Sequence, residues 1–302
     1  MELSIVVVSY NTCKITVECL KSVVKYTRGI DFEILVIDNG STDNSVSAIK
    51  KLQIDSLHIL ENKENVGFGR ANNQGLKLAK GNFILLLNSD TELKSNVVAD
   101  IVGFLKANPK VGIASCLLCN KDGSVQGTGG YFPTLIRVLS WMTIQDVPGV
   151  DLLIKPFHPL KSKSPYKANG FYSREKELDW LTGAFFLVRK AVVDDIGYFD
   201  EDYFMYTEEV DYCYRAKRSG WLVYFLPKWS ITHFGGASGT KEMAVLGEFS
   251  GLKTFYRKHY PAWQFPVLRL LLKIGSLGRI LLFGILEGKE SAAVYAKAFR
   301  SV

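Results

Sequence analysis

The chain has 302 residues, of which 47% are hydrophobic and 22% are charged. This composition excludes a disordered or fibrous protein and allows one or two domains with a sizeable core. The formal net charge is +7, and residues 251–302 carry nine Lys or Arg against two Glu, so the positive excess lies in this segment. Its charges alternate with Leu and Ile rather than with polar groove-reading side chains, which argues against nucleic acid as a partner.

The first part of the chain, up to about residue 119, alternates short apolar runs with segments of helical periodicity. This pattern predicts parallel strands joined by crossover helices, and therefore a doubly wound α/β sheet. The predicted strands are LSIVVVSY, FEILVID, SLHIL and NFILLLNSD. The predicted helices cover about 14–26, about ten residues after a cap at Ser41 or Thr42, about 69–79 and about 95–107.

The middle of the chain is less regular. Residues 122–177 are rich in Gly, Pro, Ser and Lys and show no period, which predicts hairpins and a long surface excursion. A strand in LDWLTGAFFLVRK follows, then a helix in TEEVDYCYRAKRSG with Gly220 as its C′ residue, and then a buried strand in WLVYFLP.

The C-terminal tail contains VLRLLLKIGSLGRILLFGIL, which is long enough to cross a bilayer. A spanning helix is disfavoured because Arg269, Lys273 and Arg279 lie within it. At helical spacing these residues and Ser276 share one face, while Leu and Ile fill the rest, as in a helix that lies in a membrane interface. We therefore expect the tail to bind an anionic membrane surface. The alternative is a helix packed on the main domain with a solvated basic face.

The chain ends and the cysteines indicate the compartment. The first apolar run begins almost at Met1, with no leader pattern ahead of it, so we expect a cytoplasmic protein, peripheral at the inner face of the cell membrane. The five cysteines are an odd number scattered through apolar runs, which favours reduced thiols. Cys116 and Cys119 form a C-x-x-C, but the strand-like run around them lacks the second ligand pair that a zinc site requires.

Polar residues collect where the predicted strands end, and ligands bind at the carboxyl ends of strands in open α/β sheets. The first strand contributes Ser9, Tyr10 and Asn11, the second Asp38, Asn39 and Gly40, and the fourth Asn88, Ser89 and Asp90. Asp38 could cap the next helix, but we favour a role in accepting a hydrogen bond from a nucleotide base or ribose.

Asp90 closes an apolar strand, where a carboxylate has no packing reason to lie. Oxygen ligands of this kind suit a hard divalent cation that bridges two phosphates. The alternative, a cap for the helix near Ser95, is weaker because Asp90 lies several residues too early. His233 follows the last strand among glycines that allow a ligand to approach, although a lone histidine is usually structural.

The stretch ENVGFGRANN contains a G-x-G. A dinucleotide-binding fingerprint requires a third small residue where Asn72 stands, and it should follow the first strand rather than the third. The glycines still allow the backbone to approach a ligand at a helix N-terminus.

The densest acidic cluster covers residues 200–211 and is interleaved with aromatic residues. Like charges at this density require a metal or basic partners. Asp211 and Arg215 are one helical turn apart and are expected to form a structural ion pair. Glu208 and Glu209 then remain available for chemistry.

Taken together, VVVSYN, VIDNGSTD, ENVGFGRANN, LLLNSD, LTGAFFLVRK, GYFDEDYFMYTEEVDYCYRAKRSGW and HFGGAS resemble the family 2 glycosyltransferases, and most of all their rhamnosyltransferase-like branch. The resemblance covers roughly residues 3–240. It implies the GT-A fold, a Rossmann-like and mostly parallel sheet flanked by helices, followed here by an amphipathic helical tail. The implied units are residues 1–240, with a nucleotide-binding half (1–119) and an acceptor and catalytic half (120–240), and the basic tail (241–302).

The resemblance also implies roles for individual residues. Donor binding falls to Ser9, Tyr10, Asn11, Asp38, Asn65, Gly67, Arg70, Asn88 and Ser89. Asn88-Ser89-Asp90 corresponds to the D-x-D element, with Asn at its first position, so Asp90 and His233 are the expected ligands of Mg²⁺ or Mn²⁺. The general base is the second residue of an acidic pair, here Glu209, and because the pair reads Glu-Glu, Glu208 is a rival. Thr182 and Gly183 are expected to contact the acceptor, and Trp180 is expected to offer a ring face to a sugar.

The implied reaction is a single displacement from a nucleotide-diphosphate sugar to a glycan or polyprenyl-diphosphate-linked acceptor, with inversion at the anomeric carbon. The donor sugar is left open between dTDP-rhamnose and a UDP-sugar. A glycosidase would instead need two carboxylates flanking the bond. Two other functions remain as alternatives: a metal-dependent nucleotidyltransferase, and a non-catalytic nucleotide-sugar-binding protein at the membrane.

Overall fold

The structure is a computed structural model that describes residues 1–145, 147, 150–159, 170–235 and 240–302. Its strands are β1 (Leu3–Ser9), β2 (Phe32–Asp38), β3 (Leu57–Glu61), β4 (Phe83–Asn88), β5 (Thr91–Glu92), β6 (Val111–Cys119), β7 (Gly129–Gly130), β8 (Lys176–Glu177), β9 (Trp180–Leu181), β10 (Phe185–Arg189) and β11 (Leu222–His233). Its helices are α1 (Cys13–Tyr26), α2 (Ser45–Lys50), α3 (Phe68–Leu78), α4 (Val97–Ala107), α5 (Leu135–Met142), α6 (Val150–Leu153), α7 (Lys190–Ile196), α8 (Glu208–Arg218), α9 (Lys241–His259), α10 (Gln264–Leu286) and α11 (Lys289–Ser301).

The main sheet has the order β3-β2-β1-β4-β10-β6-β11-β5, and β8 pairs with β11. The β3-β2-β1-β4 half is parallel, β10 is antiparallel to β4 and β6, and β6 is parallel to β11. The expected mostly parallel sheet flanked by helices is therefore confirmed. In the register Ser9 lies opposite Asp38 and Val8 lies opposite Asn88, so the carboxyl ends of three strands meet at one edge.

Hydrophobic packing on both faces explains the unbroken Val and Ile runs. Ile5 and Val7 of β1 face a buried cluster that includes Ile101 of α4. Val6, whose side chain points to the opposite face, joins a second cluster with Ala71 of α3. Strands buried in this way read as continuous apolar sequence rather than as an alternation.

Several predicted elements differ from the structure. Helix α2 has six residues rather than about ten, and it begins after Asn44 rather than at a cap on Ser41 or Thr42. The stretch 122–177, predicted as hairpins, contains helix α5, while residues 146, 148–149 and 160–169 lie outside the described part. The single strand predicted in 178–190 is divided into β9 and β10, with Thr182 and Gly183 between them.

The tail packs on the sheet domain. Phe249, Leu252 and Phe255 of α9 belong to the same buried cluster as Phe186 and Phe225 of the sheet. The tail thus shares the core of the domain that precedes it. Within the described ranges, no helix combines the length and apolarity needed to cross a bilayer.

The orientation of α10 corrects an expectation from the sequence. Ser276 and Arg279, predicted on an outward basic face, are buried, and an Nη atom of Arg279 donates to the carbonyl of Trp141. The face of α10 that points outward is apolar, and its exposed side chains include Val267, Leu270, Ile274, Leu277, Leu281, Leu282, Ile285 and Leu286. The reason is that small and polar residues allow α10 to approach α5 closely: a Cβ on Gly275 would lie 2.4 Å from Met142 Cε.

Candidate active site

A cleft of about 740 Å³ lies at the carboxyl edge of the sheet. Most of the residues predicted to form the site line it: Tyr10, Asn65, Asn88, Ser89, Asp90, Thr182, Gly183, Glu208, Glu209 and His233. Asp90 and Glu209 are far apart in the sequence, and the fold brings both to one cavity. A cleft of this size falls within the range of small-molecule binding sites.

Backbone pairing brings His233 to Asp90. The short strand β5 is antiparallel to the end of β11, with His233 opposite Thr91, and the N–H of Phe234 donates to the carbonyl of Asp90. His233 Nε2 consequently lies 3.2 Å from Asp90 Oδ1 and 3.4 Å from Asn88 Nδ2.

The other nitrogen of the ring defines its tautomer. His233 Nδ1 lies 2.8 Å from Gln126 Oε1, an atom that can only accept, so Nδ1 carries the proton of the neutral ring. The Nε2 lone pair then points toward the carboxylate of Asp90, an arrangement that a proton or a cation stabilises. A carboxylate, an imidazole and the nearby amide of Asn88 form a donor set that fits Mg²⁺ or Mn²⁺. Among the described residues, no three His, Cys, Asp or Glu side chains form a complete ligand group.

Asn39, which the sequence analysis noted at a strand end but did not assign to the site, lines the cleft. Its Nδ2 donates to Asn65 Oδ1 at 2.8 Å, and its Oδ1 accepts from the N–H of Val66 at 3.1 Å. Asp38 Oδ2 accepts from the N–H of Ser41 at 2.9 Å. Asp38 Oδ1 is buried without a hydrogen-bond partner among the described residues, so it can accept from a ligand.

Five residues predicted to bind the donor lie outside the lining of the cleft: Asp38, described above, and Ser9, Asn11, Gly67 and Arg70. The Ser9 hydroxyl joins the buried hydroxyls of Thr12 and Thr16, and Asn11 Oδ1 accepts from the N–H of Thr42 at 2.8 Å. The other two, Gly67 and Arg70, support the acidic loop. A Cβ on Gly67 would lie 2.7 Å from the carbonyl of Phe204, and Arg70 Nε is 3.2 Å from Glu201 Oε2.

The acidic pair begins α8 and follows a strained turn. Tyr206 and Thr207 both have left-handed backbone, with φ of 71° and 73°. Non-glycine residues rarely adopt this conformation, and such strain clusters at functional sites. It directs Glu208 and Glu209 into the cleft, and each has an Oε2 that is buried without a hydrogen-bond partner among the described residues.

Helix α9 supports this turn through two glycines, which we call the glycine seat (Gly247 and Gly251). A Cβ on Gly251 would lie 2.4 Å from Thr207 Oγ1 and 2.8 Å from the carbonyl of Tyr206. A Cβ on Gly247 would lie 2.6 Å from Tyr206 Cδ2. The absence of side chains at these positions is what allows the tail to touch the turn before the acidic pair.

Burial raises the pKa of both glutamates. For Glu208 the second cause is the charge of Glu209, and its pKa lies well above the usual value. Burial raises the pKa of Glu209 as well, but the N–H of Gly183 and the charge of His158 oppose this rise and favour its ionised form. When one proton is shared by the pair, these contacts favour the charge on Glu209 and the proton on Glu208.

Thr182 and Gly183, which were predicted to contact the acceptor, line the cleft. Trp180, expected to offer a ring face to a sugar, is buried, and its ring centroid lies 5.8 Å from that of Phe157 and 5.2 Å from that of His158. Those neighbours cover the ring. Its Nε1 is buried without a hydrogen-bond partner among the described residues.

Asp211 is structural, as its spacing predicted. It is fully buried, and it accepts from Arg215 Nε at 2.8 Å and lies 2.6 Å from His259 Nε2. These contacts lower the pKa of Asp211, first through the hydrogen bond from His259. His259 ends α9, so the pair connects the tail to the helix that carries the acidic pair.

Several residues that line the cleft were not predicted from the sequence. Met205 and Tyr206 belong to the acidic cluster but were passed over for the carboxylates, and Phe68 lies inside the G-x-G stretch. Thr240, Lys241, Met243 and Ala244 begin α9 and line the cleft. They were missed because the tail was assigned to a membrane role. The described cysteines are all free, and burial raises the pKa of Cys116 and Cys119.

Comparisons with known proteins agree with this geometry. The chain is 26% identical over 258 residues to the N-acetylglucosaminyl-diphospho-decaprenol L-rhamnosyltransferase of Mycobacterium tuberculosis, covering 81% of this chain and 80% of that protein. It is 24% identical over 232 residues to the rhamnosyltransferase WbbL of Escherichia coli, covering 67% of this chain and 82% of that protein. The fold is similar to that of the mannosyltransferase PcManGT from Pyrobaculum calidifontis in complex with GDP-Man and Mn²⁺. The TM-score is 0.58 at 16% identity, covering 98% of this chain and 73% of that one.

The profile of glycosyl transferase family 2 matches residues 4–197, which is more than half of the chain. The resemblance first read from the motifs is therefore confirmed. The chain belongs to glycosyl transferase family 2 and has the GT-A fold.

Proposed function

We propose that the chain is an inverting, divalent metal-dependent transferase of cell-surface glycan synthesis. It moves a sugar, with rhamnose the first candidate, from a nucleotide-diphosphate donor to a lipid-linked or polysaccharide acceptor. The observation that carries the proposal is that Asp90 and Glu209 line one cleft. The relatives support the acceptor class, since one of them is named for an N-acetylglucosaminyl-diphospho-decaprenol acceptor.

In this proposal Asp90 and His233 hold Mg²⁺ or Mn²⁺, and Asn88 and Ser89 line the diphosphate side. When bound, the metal supplies charge neutralisation for the departing diphosphate. Asp38 Oδ1 is the proposed acceptor of a hydrogen bond from the base or ribose, while Asn65, fixed by Asn39, lines the cleft. Residues 1–119 thus supply most of the donor contacts.

Glu209 is the proposed general base, which takes the proton of the attacking acceptor hydroxyl. Its ionised form is favoured by the Gly183 N–H and by His158, and its raised pKa makes it a stronger base than an ordinary glutamate. Glu208 keeps its proton and thereby limits the negative charge beside the leaving diphosphate. Thr182 and Gly183 contact the acceptor on the side supplied by residues 120–240.

An assay of the released products tests this function. We expect one of the nucleotide sugars, dTDP-rhamnose or a UDP-sugar, to yield free nucleoside diphosphate with Mn²⁺ and an acceptor present, and the product to have inverted anomeric configuration. Release of inorganic pyrophosphate would identify a nucleotidyltransferase instead. Tight donor binding without transfer or hydrolysis would identify a nucleotide-sugar-binding protein.

We further propose that the protein is cytoplasmic and peripheral, docked on the inner face of the cell membrane. The outward face of α10 carries Leu281 and Ile285 at 71% and 85% exposure, and α5 adds Ile136 and Leu139 beside it. Removing one such side chain fully from water contributes about 1.5–3 kcal/mol of favourable free energy to membrane binding. Exposed Arg269 lies on the same helix and suits an anionic lipid surface.

Vesicle flotation checks this membrane proposal. We expect the protein to float with anionic vesicles at low salt, with partial loss at high salt because only the basic contribution is screened. Leu281→Asp combined with Ile285→Asp should abolish flotation at every salt concentration. Leu78→Asp, at an exposed leucine of α3, is the matched control and should float as the unmodified protein does. Failure of the unmodified protein to float at low salt would contradict the proposal.

A further inference from the structure

A second cavity, which we call the tail cavity, lies between α5, residues 157–158 and the tail helices. It has a volume of about 250 Å³ and is lined by Trp141, His158, Glu248, Arg279, Phe283 and Tyr295 among others. Apart from His158 and Glu248, whose charges act on Glu209, none of these residues belongs to the site described above. This volume is too small for a nucleotide sugar, so the cavity suits a segment of a larger ligand.

The tail cavity adjoins the catalytic cleft along α9. Ala244 lines the cleft and Glu248, one turn later, lines the tail cavity. A ligand that presents a hydroxyl to Glu209 can therefore extend into the tail cavity.

The cation in the tail cavity is Arg279. Its guanidinium lies 4.7 Å from the ring centroid of Trp141 and 5.5 Å from that of Tyr295, and the residue is only 8% exposed. A guanidinium held between rings keeps its charge, is weakly hydrated and matches phosphate oxygens in geometry. The nearby carboxylate of Glu248 is engaged by His158 Nε2.

Helix α10, whose outward face is apolar, forms one wall of the tail cavity. Phe283 lines the cavity, and Leu282 and Leu286 beside it on the helix are 53% and 68% exposed. Three environments therefore adjoin one another: a cleft with a carboxylate base, an arginine among aromatic rings, and an exposed apolar surface. These environments match a sugar, a diphosphate and an isoprenoid chain.

We propose that the tail cavity binds the diphosphate and the first isoprenoid unit of a prenyl-diphosphate-linked acceptor, with Arg279 contacting the diphosphate. The accepting sugar then reaches Glu209, and the chain leaves along α10 toward the membrane. This inference rests on the proposed function, since it assigns the position of the acceptor that the transfer requires. The aromatic lining and the adjacent apolar face favour this occupant over a second sugar.

Direct binding of farnesyl diphosphate to the full-length protein tests the inference. The cleft is first saturated with nucleoside diphosphate and Mn²⁺, and binding is measured calorimetrically against farnesol and inorganic diphosphate as comparison probes. We expect farnesyl diphosphate to bind at least about tenfold more tightly than either probe, since both parts of the site contribute. Equal binding of farnesol would remove the diphosphate assignment.

Variants on one helix sharpen this test. Arg279→Met should weaken binding of farnesyl diphosphate at least about tenfold, whereas Arg269→Met, at an exposed arginine of the same helix, should leave it unchanged. Phe283→Ala is the second variant, because Arg279 also supports Trp141, and it should weaken binding about fivefold. Equal affinities for the Arg279 and Arg269 variants, or an unaffected Phe283 variant, would overturn the inference.

The same measurement separates the inference from the function on which it rests. Binding does not require turnover, so farnesyl diphosphate affinity that depends on Arg279 in a protein without transferase activity supports the cavity and refutes the proposed function. Active protein that uses lipid-free acceptors and binds no farnesyl diphosphate refutes the cavity alone. Competition by a short sugar glycoside, with no effect of farnesyl diphosphate, would assign the cavity to a second sugar and overturn the inference.

Discussion

Glu209→Gln is expected to lower turnover by two or more orders of magnitude while donor affinity stays within about twofold of the unmodified protein. The amide keeps the shape of the side chain but cannot take the acceptor proton. We expect donor affinity to be retained because the proposed donor contacts come from other residues of the cleft, such as Asn39 and Asn65. Steady-state kinetics with calorimetric donor binding checks the result.

Glu208→Gln is the matched control, since the neighbouring residue has the same chemistry and lies in the same cleft. Because Glu208 is the partner that keeps its proton, the amide mimics its working state and turnover should fall by less than about tenfold. A large loss in this variant with a small loss in the Glu209 variant would reverse the assignment of the base.

The raised pKa values of Glu208 and Glu209 also make the free energy of unfolding depend on pH. An acid whose pKa is raised in the folded protein keeps its proton at pH values where the unfolded chain has released it. Stability contributed by the pair is therefore present near the usual value of 4.5 and is lost as pH rises through the folded-state pKa values. Glu208→Gln should thus raise Tm at about pH 8, and the difference should vanish at about pH 4.

Asp90→Ala is expected to remove metal-stimulated transfer, by at least about a hundredfold, in a protein that stays folded. Asp90 is the principal charged ligand in the proposed site, because Asn88 occupies the first position of the motif. Addition of Mn²⁺ and nucleoside diphosphate should raise the Tm of the unmodified protein but not that of the variant. Thermal unfolding with and without Mn²⁺ measures this independently of activity.

Asp55→Ala, at an exposed aspartate before β3, is the control for Asp90 and should keep both the activity and the Mn²⁺-induced rise in Tm. His233→Ala should show an intermediate loss, since it removes a neutral ligand rather than the charged one. Full activity in Asp90→Ala would remove Asp90 from the metal site.

Strands β1, β2 and β4 of the parallel half could be predicted because they are buried on both faces and therefore read as unbroken apolar runs. The short strands and the helices outside this half were harder to predict from the sequence. Strand β5 has two residues and no periodicity, yet its pairing with β11 is what brings His233 to Asp90. Helix α5 was missed because its surroundings are rich in Gly, Pro and Ser, while its own packing against α10 is a long-range contact that local sequence does not encode.

The position of the cleft could be predicted where polar residues follow a strand, as for Asp90, which lines it. The prediction was less complete where the role depends on a partner distant in sequence. Asn39 organises the donor side through Asn65, and Arg70 pairs with Glu201, and neither contact follows from spacing. The tail shows the same limit, since hydrophobic periodicity identified an amphipathic helix but not which of its faces would be covered.

The glycine seat affects how the chain can be truncated. Gly247 and Gly251 contact the left-handed turn that precedes Glu208 and Glu209, so the segment that we propose to meet the membrane is also a wall of the cleft. Trimming the protein after residue 240 to obtain a minimal soluble catalyst would release that turn and open the chamber on one side. In this proposal, membrane binding and the shape of the cleft both depend on the same segment, residues 241–302.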